Sequence, residues 1–137
     1  MKHNNKGFTL VELMVVVAIV GILAGIAFSV AGGNNEKVRR AIAKNTLMEV
    51  QSREEQYFVN NRAYTNDLTD LNYGTSPFFI NKNGDEVAQA DAFYRISLTV
   101  DGFTYTVTAT PINAQTKDSC GTLTLNSSSV KTPADCW

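Results

Sequence analysis

Hydrophobic positions along this chain fall into two unlike regimes. From Phe8 to Ala31 nearly every residue is apolar or small, with a single acid, Glu12, and no Lys or Arg. From Asn34 to Trp137 apolar and polar residues mix as in ordinary soluble protein. The first run is long enough to span a bilayer, where a helix needs about 20 residues at about 1.5 Å each. Three plainer readings fit it less well. A secretory signal peptide has a shorter apolar core with a small-residue cleavage site behind it. An ordinary membrane anchor leaves Glu12 unexplained, and a buried core helix demands a larger domain than this chain supplies.

Beyond the run, Gly32-Gly33-Asn34-Asn35 reads as a soft joint, since each glycine lowers helix propensity by about 1 kcal/mol. Glu36 to Asn61 lacks Pro and Gly and predicts a helix. Val38, Ala41, Ile42, Asn45 and Met48 recur at helical spacing, with Leu47, Val50, Tyr57 and Phe58 on an offset face. The stripe is expected to pack against the rest of the chain. Tyr64-Thr65, then Leu68 and Leu71, reads as a helix exit and short turn that Thr65 caps. Residues 72–91 form a loop region with a short strand at Phe78–Ile80. Phe93 to Val100 and Phe103 to Thr110 alternate as half-buried strands do, joined by Asp101-Gly102 as a two-residue hairpin loop. Gly121 to Asn126 offers a third strand, giving an antiparallel meander beside one long helix.

Charge and composition narrow the function. The net charge is -1, and without Lys2 and Lys6 the 12 basic groups fall to 10 against 13 acidic ones, a net of -3. That balance opposes a general nucleic-acid binder. The basic cluster Lys37, Arg39, Arg40 and Lys44 has Glu36 and Glu49 beside it, and reads as a solvated or intersubunit face. The sole histidine is His3, so no histidine base or metal ligand exists beyond the first residues, and no catalytic constellation remains. No cofactor is implied. Cys120 and Cys136 are the only cysteines. Behind an export-type N-terminus such a pair predicts a disulfide, whose loop closure is worth about 3 kcal/mol in the chain-entropy account.

Glu12 is the anomaly of the apolar run. A carboxylate at the centre of a membrane helix costs about 2.5–3.5 kcal/mol, less near its edge, and such residues usually have a partner and a function. No cation lies within the run. The partner must come from another chain, from the interface, or from a new N-terminus made by cleavage.

The stretch Lys6-Gly-Phe-Thr-Leu-Val-Glu12-Leu-Met closely resembles the type IV prepilin signature. The resemblance implies cleavage between Gly7 and Phe8 by a membrane-embedded prepilin peptidase, which also methylates the Phe8 amine. It further implies that Glu12 pairs with the Phe8 amine of a neighbouring subunit. The physics is compatible: opposite charges about 4 Å apart attract by about 4 kcal/mol at an effective dielectric of 20. Many relatives carry a proline at the position of Ser29 and an aromatic near Ala31; this chain has neither. Gly21 and Gly25, four apart, suit close helix approach but equally suit generic small positions.

A second resemblance, to minor pilins of the PilE type, rests on Thr108-Ala-Thr-Pro111, Gln115-x-x-Asp118-x-Cys120-Gly-Thr-Leu-Thr-Leu125 and the terminal Cys136-Trp137. Tyr57, Asn61, Tyr64, Leu68 and Leu71 fit it too. Together these imply an α+β type IV pilin fold. Residues 1–7 are a cleaved leader, 8–33 a transmembrane and assembly helix, 34–62 its amphipathic continuation, 63–92 a connecting αβ-loop, and 93–137 a sheet with a disulfide-bounded loop. The implied partners are other pilin subunits, the prepilin peptidase, the inner membrane and the pilus assembly machinery. The implied site is the inner membrane, then an extracellular filament used for adhesion, twitching motility and DNA uptake. Two alternatives stand beside it. One is a DNA-binding competence pilin with Arg39, Arg40, Lys82 or Lys117 on phosphates; the other is a pseudopilin of type II secretion.

Overall fold

The structure, a computed structural model, describes residues 8–137, without the side chains of 27–34. The leader with Gly7 and the side chains around the expected joint therefore lie outside the described residues. The chain divides into two compact units at Asn35 and Glu36; one helix, α1 (Leu10–Asn61), contributes to both.

In the first unit, α1 opens on a reciprocal cap. The Thr9 amide and hydroxyl donate to Glu12 Oε2 at 3.3 and 3.2 Å, and the Glu12 amide donates back to Thr9 Oγ1 at 3.3 Å. This is a capping box, in which residues at the cap and third helical positions satisfy each other's orphan amides. Every described side chain from Phe8 to Ile26 is exposed. Among the described residues no helix is long and apolar enough to cross a membrane; the side chains described in the apolar run end at Ile26, short of the expected limit at residue 33.

The second unit packs the rest of α1 on a five-stranded antiparallel meander in the order β1-β2-β3-β4-β5. The strands are β1 (Phe78–Ile80), β2 (Tyr94–Asp101), β3 (Thr104–Pro111), β4 (Leu123–Asn126) and β5 (Lys131–Thr132). Register stacks the inward residues across the sheet: Phe78 opposes Ile96, Ile96 opposes Ala109, and Ala109 opposes Leu123. One pleat along, Leu98 opposes Val107 and Val107 opposes Leu125. All of these are buried, as the period-two alternation requires. The helix answers with Ala43, Leu47 and Val50, and Leu68 and Leu71 of a 3-10 turn close the core.

Three local expectations are corrected. Of the stripe Val38, Ala41, Ile42, Asn45 and Met48, Ile42 packs against the core and the other four are exposed. The buried face is Ala43, Thr46, Leu47, Val50 and Glu54, which includes Leu47 and Val50 of the offset face together with two polar residues that apolar periodicity does not count. The 3-10 turn is capped by Asp67, which accepts from the Thr69 amide at 2.9 Å; Thr65 instead accepts from the Asp67 amide at 3.0 Å. The hairpin loop is Gly102-Phe103, one residue later than expected, because Asp101 still pairs with Thr104. Gly102, at φ +59°, takes the first central position of a type II′ turn, where glycine is favoured. The short edge strand β5 was not foreseen.

Candidate functional site

Two surfaces carry chemistry, and the first is the apolar face of the first unit. Phe8 is 84% exposed and Leu10 77%, and Val, Ile, Leu and Met continue the exposed surface to Ile26. So long an apolar surface marks an interaction site. A Cβ added at Gly21 or Gly25 would meet nothing within 4 Å, so nothing within the single chain requires glycine there. Glu12 has a local partner after all, in Thr9. The pattern Thr-x-x-Glu states that cap in the sequence, and Thr9 is the capping neighbour that sequence reading passed over.

On the second unit α1 leaves a narrow seam uncovered. Val38, Ala41, Asn45, Met48, Ser52, Glu55 and Val59 are exposed and fall at alternating steps of three and four, the spacing of a helix-packing seam. Val38, Met48 and Val59 are 57, 41 and 71% exposed.

The second surface is built around a buried carboxylate. The Arg40 guanidinium donates to both oxygens of Asp118, through Nε at 3.0 Å and through Nη2. Tyr94 OH donates to Asp118 Oδ2 at 3.2 Å, Gln115 Nε2 at 2.9 Å, and the Cys120 amide donates to Oδ1 at 3.1 Å. Gln115 also reaches the Glu36 carbonyl at 3.1 Å. Burial alone would raise the Asp118 pKa, but Arg40, the Cys120 amide and Gln115 together hold it below the usual aspartate value. The network fastens the 3-10 turn Asn113–Lys117 to the helix. Both Asp118 oxygens are filled from within, although the buried Gln115 Oε1 has no hydrogen-bond partner, so Arg40, a candidate phosphate contact by sequence, is already engaged.

The other basic candidates differ. The Arg39 guanidinium lies 3.7 Å over the Phe93 ring centroid, a cation–π contact. Lys82, in the turn Asn81–Asp85, and Lys117, ending the 3-10 turn, are exposed. Cys120 and Cys136 form a disulfide with Cα atoms 5.9 Å apart. Trp137 packs on the core beside it, donating its indole N–H to the Thr132 carbonyl at 3.3 Å. Among the described residues no group of His, Cys, Asp and Glu is placed to hold a metal ion.

Comparison with known proteins agrees with this geometry. Residues 34–124 match the family described as type IV minor pilin ComP, DNA uptake sequence receptor, and residues 2–28 match the prokaryotic N-terminal methylation motif. The type IV major pilin protein PilA of Myxococcus xanthus is 34% identical over 87 residues, 64% of this chain and 39% of that protein. Type II secretion system core protein G of Dickeya chrysanthemi is 34% identical over 64 residues, 47% of this chain and 42% of that protein. The chain thus spans about two fifths of the length of the curated relatives it matches. A type IV pilin from Shewanella oneidensis superposes with a TM-score of 0.54 at 28% identity, covering 74% of this chain and 97% of that one.

Proposed function

The chain belongs to the type IV pilin family, and from that premise we propose that it is a minor subunit of a type IV pilus, built into the filament through its N-terminal helix. The family is one of structural subunits, which implies a membrane-anchored precursor and an extracellular filament. In this reading residues 8–33 hold the precursor in the inner membrane by a single pass with the head outside. The prepilin peptidase cuts after Gly7 and methylates Phe8. The assembly machinery then docks Glu12 against the Phe8 amine of an older subunit.

The observation that carries the proposal is the unbroken exposure of apolar side chains from Phe8 to Ile26. Such a face needs lipid before assembly and other helices after it, and the exposed seam from Val38 to Val59 offers further helix-packing surface. Mechanical shearing of surface filaments tests the role. The chain is expected in the sheared fraction at a small share of the dominant pilin; its absence there, with the membrane pool intact, contradicts the proposal.

A second reading is supported by the matching family's description: the head is a receptor for DNA. With Arg40 engaged, Arg39, Lys82 and Lys117 remain as phosphate contacts, and three contacts predict a slope of log affinity against log salt of about -3. Gel-shift titration at two salt concentrations tests it. Retained duplex that weakens with salt at that slope supports the receptor, and no retention at low salt removes it.

A further inference from the structure

Between the last turns of α1 and the 3-10 turn Leu68–Leu71 the head carries a polar groove of about 520 Å³. That volume lies within the range of small-molecule sites, about 300–1,000 Å³. Gln56, Tyr57, Asn60, Asn61, Asp70 and Asn72 line it, with Arg53 beside them. None of these side chains belongs to the buried network around Asp118.

The hydrogen bonds already made within the groove define what it can still accept. Arg53 donates to the Leu71 carbonyl and to Glu49, each at 2.6 Å, and lies 4.4 Å over the Tyr73 ring. The one cation of the groove is therefore held by internal acceptors, and the groove is not an anion site. Asn60 and Asn61 direct their amide N–H groups onto the carbonyls of Gln56 and Tyr57, at 3.2 and 3.0 Å, which leaves both Oδ1 atoms as acceptors. Asp70 accepts from Thr65 through Oδ2 at 2.7 Å and keeps its other oxygen. The Gln56 and Asn72 side-chain amides have no hydrogen-bond partner among the described residues, and each supplies both donors and an acceptor.

A groove of this kind disfavours the other broad ligand classes. A phosphate or carboxylate would face Asp70 and a row of carbonyl oxygens. An apolar ligand would strip water from polar groups without replacing their bonds, at a cost of about 1–3 kcal/mol each. A ligand dense in hydroxyls satisfies amides and carboxylate at once, and the half-buried Tyr57 ring offers it an apolar flank. We propose that this groove binds a neutral saccharide. The site is complete in one chain, so it stands whether or not the chain enters a filament.

The test is a titration of the full-length chain in phosphocholine micelles, which carry no sugar headgroup, followed through the side-chain NH2 signals of its Asn and Gln residues. Lactose and N,N′-diacetylchitobiose are the probes and spermidine is the cationic control. At about 10 mM saccharide, tenfold above a Kd of about 1 mM, the signals of Gln56, Asn60, Asn61 and Asn72 are expected to shift together. Asn72→Gly keeps the backbone at φ 65°, which glycine adopts freely, while removing the amide. Combined with Gln56→Ala it is expected to weaken the response about tenfold with the melting transition unmoved. No shift with either saccharide, a shift with spermidine alone, or an unchanged response in the double variant each overturns the proposal.

Discussion

Arg40 and Asp118, 78 residues apart in the chain, form a two-pronged ion pair whose carboxylate is fully buried. The pair and its partners tie the long helix to the segment that leads into the disulfide. Because Asp118 is out of water, removing its cation leaves a buried charge uncompensated, which costs about 3–5 kcal/mol. Arg40→Ala is expected to lower the unfolding free energy of the head by that amount, read as a lower urea midpoint with an unchanged slope. Arg40→Lys is expected to recover only part, since an ammonium cannot match the fork of a guanidinium.

Glu54 predicts an unusual pH dependence. Its side chain is fully buried on α1; Oε2 accepts a long bond from the Thr65 amide at 3.4 Å, and Oε1 has no hydrogen-bond partner. Burial, with Glu55 and Asp70 adding to it, pushes its pKa from 4.5 up to about 7, against the opposing Thr65 amide. The folded head thus binds a proton that the unfolded chain releases between these values. Stability is therefore fullest below the unfolded pKa and is lost as pH rises through the folded one, by about 3 kcal/mol in all. Asp118 works in the opposite direction: its lowered pKa gives stability that is present above the unfolded aspartate value and is lost as pH falls through the folded one. Denaturation midpoints are expected to rise from pH 8 to about 5 and to fall again in stronger acid. Glu54→Gln is expected to flatten the upper limb and to stabilise the head at pH 8.

Reduction of the Cys120–Cys136 disulfide, or Cys120→Ser, is expected to cost about 3 kcal/mol through loop-closure entropy. A non-reducing gel is expected to show a mobility shift in the native chain that Cys120→Ser abolishes. Trp137 fluorescence reports the same event, since the ring packs against the core beside Cys136.

Local chemistry, the antiparallel meander and the Cys120–Cys136 pairing were legible in the sequence, and the tie between Arg40 and Asp118 was not. The period-two runs located β2, β3 and β4 within a residue or two, because one buried face imposes that alternation. The hairpin was readable from Gly102, but its loop was displaced by one, since a dipeptide signal does not say which partner closes the ladder. Leu47, Val50 and Tyr57 of the packed face of α1 were legible as the offset face, whereas Thr46 and Glu54 were not, because polar residues are not counted toward an apolar stripe. Gln115 and Asp118 enter the sequence reading only as part of a family resemblance. Their link to Arg40 depends on tertiary contacts that no spacing encodes. Thr9 is the opposite case: its cap was present as Thr-x-x-Glu and was overshadowed by the more conspicuous acid.

That cap sharpens the central test. Glutamine serves a capping box as glutamate does, so Glu12→Gln keeps the helix start and removes only the charge proposed to meet the Phe8 amine. Thr9→Val is the complementary control, weakening the cap and keeping the charge. The decisive measurement is the amount of each variant in the sheared filament fraction relative to its membrane pool. The account predicts normal membrane levels for Glu12→Gln with loss from the filaments, and incorporation of Thr9→Val; entry of Glu12→Gln into filaments at the level of the unsubstituted chain would contradict it.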